Sequence, residues 1–200
     1  MSRAVAARAV GAALGLVLLV GVWAAAGRAA LPAPAFSGET EPVRTGASTR
    51  APDPAAQRAA LRRAMALLGY RGRLGSRIVL APPRPAVRAE TNTGTRTITV
   101  FLDPMDAPHK VAHDIAHELG HAWDARHLDD AGRRAYLERR GADHAAWWPR
   151  TLGADYATGA GDFAEVFARC HAASPEFRSR LAPPPADACA ALPPGARDAW

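Results

Sequence analysis

The stretch from His113 to Asp124 reads HDIAHELGHAWD, with three histidines at intervals of four and no helix breaker except Gly120. Residues four apart on an α-helix share a face, one turn from each other. His117 and His121 can therefore reach one metal ion. Glu118 lies about 60° round the helix from His121, beside the shared point rather than on it. From there it can take a proton from an activated water. His113 continues the series, but it stands about 12 Å from His121 along the axis, too far for three imidazoles of one straight helix to share an ion. A His113/His117 pair would leave the shorter Asp114 as the base. The His117/His121 pair is the better reading, with His113 supporting it or lying on the surface. The competing interpretation is the polar face of an ordinary surface helix. Val111, Ile115, Leu119 and Trp123 surround the motif with apolar side chains, which favours burial. Gly120 costs about 1 kcal/mol relative to alanine in a helix interior, so another backbone is expected to pass close to it.

The flanking sequence predicts an α+β domain: helix, strands, then helices against one small sheet. Asp53-Pro54 opens a helix as N-cap and first residue, with Leu61, Met65 and Leu68 on one face and Gly69 at its end. RIVLAP (77–82) is a short strand whose prolines place it at an edge or a strand end. A turn at Asn92-Thr93-Gly94 leads into a strand from Thr95 to Leu102, with Ile98, Val100 and Leu102 alternating inward. Helices are expected over 108–126, 129–140 and 162–173. The proline-rich tail from Leu181 to Trp200 should hold little regular structure.

The chain of 200 residues has room for one ordinary domain. Its net charge of +6 favours anionic partners in general. The arginines are scattered, with no recognition-helix pattern or zinc-finger spacing, so nucleic-acid binding is not expected. Arg3 and Arg8 precede an uncharged run from Ala9 to Gly27. That pattern makes residues 1–30 a signal peptide or an N-terminal membrane anchor, the apolar run 9–27 being just long enough to span. Residues 31–53 read as a flexible Pro/Ser/Thr linker, and 54–200 as the folded domain. The domain is therefore expected to be secreted or extracytoplasmic. In an oxidising compartment Cys170 and Cys189 should form a disulfide.

HELGHAWD, followed forty-odd residues later by DYATGAGDFAEVFA, resembles the zincin metallopeptidases. It is most like the branch with a glutamate third ligand (gluzincin-like), which includes the catalytic domain of anthrax lethal factor and its relatives. The resemblance covers residues 76–175 and is specific only in its two blocks. It implies a zincin-like fold, a bound Zn²⁺ held by His117 and His121, and peptide-bond hydrolysis by a metal-activated water with Glu118 as general base. It also implies that the strand Thr95–Leu102 is an edge strand packed on the motif helix and able to pair with an extended substrate. Tyr156 stands where such proteins carry a tyrosine that hydrogen-bonds the oxyanion; a half-buried packing role is the alternative. Asp124 matches a carboxylate with a structural or ligand-supporting role.

One departure matters. The ligating glutamate of the pattern falls on Gly161. The carboxylates at hand are Asp162 and Glu165, and Glu165, one turn on and on the same face, is the preferred third ligand. In relatives that position often holds a carboxylate outside the coordination sphere. The expected function is an exported zinc metallopeptidase, working as a monomer on a peptide or protein substrate. The alternatives are a catalytically inactive zincin-fold protein of the cell envelope that binds a partner, and a cationic wall-associated module with weak metal binding.

Overall fold

The computed structural model describes residues 52–149 and 155–200. The export segment and the linker up to residue 51 lie outside the described residues. No helix among the described residues is long and apolar enough to cross a membrane.

Helix α1 (Pro54–Leu68) starts as its sequence dictates. The Asp53 side chain accepts from the Ala55 amide, and Gly69 ends the helix at φ 63°, its N–H returning to the Met65 carbonyl. Its inward stripe is Gln57, Ala60, Ala64 and Leu68. The alanines let it lie close to the following helices, while Gln57 donates to the carbonyls of Leu102 (2.8 Å) and Ala81 (3.2 Å). That buried amide ties the helix to the ends of two strands.

The sheet has three strands: β1 (Arg77–Ala81), β2 (Ala89–Asn92) and β3 (Thr97–Phe101), in the order β1-β3-β2. β1 runs parallel to β3 and β2 antiparallel to it. Ile98, Val100 and Leu102 face the core, as their alternation predicts. One expectation is corrected here: the Thr95–Leu102 strand is central, not an edge. The edge strand beside the motif helix is β2, whose AETN sequence has no β-branched apolar residue to announce it. It forms because β3 offers it a ladder, from Ala89↔Val100 to Asn92↔Thr97.

Helix α2 (Pro108–His127) carries the histidine motif and is buried nearly all round, from Val111 to Gly120 without a break. α3 (Asp130–Arg139) and α4 (Gly159–His171) follow, α4 starting three residues before its expected position because Thr158 caps it. At Gly120 an added Cβ would lie 2.9 Å from the Ala164 Cα, so α4 crosses α2 where only glycine fits. The tail has only two short helices, α5 (Ala188–Ala191) and α6 (Pro194–Arg197), yet it is packed. Leu192 and Ala196 are buried, and Trp200 donates to the Leu68 carbonyl and stacks on His171, with ring centroids 4.1 Å apart. The Cys170–Cys189 disulfide fastens this tail to α4.

Two predictions follow from the tail. Closing a loop of about 20 residues contributes about 3 kcal/mol in the chain-entropy model, so Cys170→Ala/Cys189→Ala should lower the urea midpoint by a corresponding amount. An unchanged midpoint means the tail is held by its packing alone. His171, whose Nε2–H donates to the Ala196 carbonyl at 2.8 Å, is held below its ordinary pKa by burial, against the opposing pull of that bond and Asp198. The unfolded chain then binds a proton more readily than the folded one, so stability is full above about pH 6.5 and falls as the pH drops. His171→Gln should flatten that acid slope in equilibrium unfolding measured from pH 7.5 to 5.

Candidate metal centre

A helix on the surface would leave its charged residues in water. Here His113, Asp114, His117, Glu118 and Asp124 are all less than 9% exposed, and buried polar groups need partners. The partners of four of them are specific. Asp124 accepts from Arg133 Nε and Trp147 Nε1, both at 2.9 Å, and so fixes α3 and the Trp147 loop. Asp114 accepts from Arg178 at 2.7 Å and from Arg88. The two histidines lead to the carboxylates of α4 and the loop before it.

His117 is held from both sides. Its Nδ1 lies 2.8 Å from Glu165 Oε1, and its Nε2 lies 3.2 Å from His121 Nε2 and 3.7 Å from Asp155 Oδ2. His121 Nε2 lies 2.8 Å from the same Asp155 oxygen. His117, His121 and Asp155 thus converge their ligand atoms within 4.8 Å of one another, a group that could hold a metal ion. Burial disfavours a charged His117, but the Asp155 and Glu165 carboxylates and the charge of Glu118 outweigh it and push its pKa up to about 10. The same contacts hold Asp155 and Glu165 well below the usual carboxylate range against their own burial. A field that favours an imidazolium at this point favours any cation there.

The carboxylate that converges with His117 and His121 is that of Asp155, which the sequence pattern does not point to. Glu165 is fully buried and faces the far nitrogen of His117, also lying 3.3 Å from His113 Nε2 and accepting from the Arg178 amide. His113 is buried rather than superficial. Asp162 is spent elsewhere, accepting from Tyr136 OH (2.7 Å), Arg140 (2.7 and 3.1 Å) and Ser179 Oγ (2.6 Å). Asp155 lies outside the sequence expectation, and Gly161 explains its position. A Cβ on residue 161 would lie 2.3 Å from the Asp155 carbonyl oxygen. The Asp155 loop occupies the space that a larger residue there would fill. Thr158 then clamps the loop: its hydroxyl donates to the Asp155 carbonyl (2.7 Å) and accepts from the Gly161 amide (3.2 Å).

Glu118 sits beside the cluster with no protein hydrogen bond to its carboxylate among the described residues; its carbonyl accepts from Thr91 Oγ1 on β2 at 3.0 Å. Tyr156 packs edge-on against His117, centroids 5.6 Å apart, with the Arg178 guanidinium 5.4 Å from its ring centre. Burial pushes the Tyr156 hydroxyl up to about 12 although Arg178 pulls the other way, so it stays protonated and able to donate. Arg178, which the tail sequence gave no reason to single out, is the common holder: its amide, its guanidinium and its neighbour Arg180 reach Glu165, Asp114 and the Tyr156 carbonyl respectively. No family model, curated protein or solved structure matches this chain.

The packing at residue 161 is directly testable. Gly161→Ala should displace Asp155 and cut metal affinity at least tenfold, with an overpacking cost of about 1–3 kcal/mol, although every ligand is intact. Asp155→Asn should lose metal without that stability cost, whereas Asp162→Asn should lose stability first. Zinc titration beside thermal unfolding for the three variants separates these outcomes; metal binding untouched by Gly161→Ala and Asp155→Asn contradicts the site.

Proposed function

We propose that the chain is a zinc-dependent metallopeptidase of zincin type, with His117, His121 and Asp155 as metal ligands, Glu118 as general base and Tyr156 as oxyanion donor. The observation that carries this reading is the convergence of two Nε2 atoms and one carboxylate oxygen, with an unpaired glutamate next to them. Tetrahedral zinc with bonds of about 2.0–2.2 Å separates its ligands by about 3.4 Å, and the separations here are 2.8, 3.2 and 3.7 Å. Two imidazoles and one carboxylate are a donor set that suits zinc and leaves a fourth position for chemistry. Glu165 on Nδ1 of His117 is the kind of outer partner that fixes a ligating imidazole's tautomer and orientation.

In that role zinc would polarise the scissile carbonyl and lower the pKa of water. Glu118 takes the proton from the attacking water and returns it to the leaving amine. Its carboxylate is free to do so because no hydrogen bond among the described residues engages it. Tyr156, protonated and against His117, donates to the oxygen on which charge develops. β2 offers an extended substrate an edge left unpaired among the described residues, next to the helix that bears Glu118.

Glu118→Gln keeps the side chain's size but removes its basicity. In the full chain it should retain one zinc equivalent and lose at least about 10²–10⁴-fold of peptide cleavage. Zinc content and turnover of a broad peptide library decide it. Cleavage that survives Glu118→Gln refutes the mechanism. A parent protein that holds its zinc and cleaves nothing favours an inactive, partner-binding role instead.

A further inference from the structure

A recess of about 290 Å³ opens between α2 and the β2–β3 turn. Its walls include Ser76, Thr91, Thr93, Ala122, Arg96 and Arg126, and no carboxylate. Neither arginine has an ion-pair partner among the described residues. Arg126 donates to the Leu74 carbonyl, which fixes its stem and leaves further N–H donors free. Two uncompensated guanidinium groups with the Ser76 and Thr93 hydroxyls are the chemistry of an oxyanion site. The position matters as much as the composition. Thr91 bonds the Glu118 carbonyl and also lines the recess. Ala122 is four residues after Glu118, on the same helix face and about 6 Å further along the axis.

Arg96 adds an independent observation. It adopts φ 53°, a backbone conformation that glycine or asparagine takes at lower cost. A hairpin turn selected for stability alone would carry one of those residues here.

We propose that this recess is a substrate-specificity pocket for an acidic side chain of an extended peptide, an inference that rests on the peptidase reading. A peptide paired with the edge of β2 alternates its side chains between the two faces, and those on the α2 face reach the recess near Glu118. An aspartate or glutamate at that position replaces its water with two guanidinium groups and the Ser76 and Thr93 hydroxyls.

The test uses the full chain, zinc-loaded, in the Glu118→Gln background, so that binding is read without turnover. End-blocked peptides carrying one Asp or Glu, scanned along the sequence, are compared with their Asn or Gln counterparts by fluorescence anisotropy. One position should prefer the acid by about tenfold or more, and the preference should shrink with added salt. Arg96→Gly should abolish the preference while the thermal midpoint stays level or rises, because the turn is relieved. Equal binding of acid and amide at every position, no detectable binding of acidic peptides, or a preference that survives Arg96→Gly would each overturn the proposal. An acid preference in a chain whose parent cleaves nothing supports the pocket while removing the peptidase reading beneath it.

Discussion

The close crossing of α4 over α2 is the contact on which the rest of the structure depends. Gly120 has no side chain, so the Ala164 backbone and the Phe167 ring press directly on the middle of the motif helix. A glycine in a helix interior is unfavourable by about 1 kcal/mol, and here the approach it permits offsets that. It brings Glu165 within 2.8 Å of His117, and it brings the start of α4, with Gly161 and Thr158, to the loop that carries Asp155. A methyl at either glycine would separate the two halves of the site.

What results is a chain of polar groups running from the interior toward the surface: His113, Glu165, His117, then His121 and Asp155. Each is buried or half-buried, so each needs its neighbour. The strap after α4 closes the chain from behind, with Arg178 bonding Glu165 and Asp114. Buried groups linked in this way are costly to rearrange. Glu118 differs in having no such partner among the described residues, which fits the role proposed for it, since a base already committed to a hydrogen bond is less able to take a proton.

The fold was legible where local physics decides it. Asp53, Pro54 and Gly69 mark both ends of α1, and the alternation of Ile98, Val100 and Leu102 marks β3 and its inward face. β2 was not, because AETN becomes a strand only by pairing with β3. That pairing also moved the edge from β3 to β2. In the site, the spacing of His117, Glu118 and His121 is helical geometry and can be read directly. The convergence of Asp155 with these histidines depends on which loop packs against Gly161, a tertiary fact without a periodic signal. Gly161 itself carried the clue: a glycine in the first turn of a buried helix marks a close approach, and Asp155, six residues earlier, supplies the carboxylate. Arg178 and Gln57 had no sequence signal at all; Gln57 serves the carbonyls of Ala81 and Leu102, and Arg178 the carboxylates of Asp114 and Glu165.

The central claim is that the loop residue Asp155, and not a carboxylate of α4, completes a zinc site with His117 and His121. A crystal structure of the zinc-loaded chain, with the ion located by its anomalous scattering, addresses it most directly. The account predicts zinc about 2.0–2.2 Å from the two Nε2 atoms and one Asp155 oxygen, with Glu165 still on His117 Nδ1. Zinc ligated by Glu165 or Asp162, or bound away from His117 and His121, would contradict it.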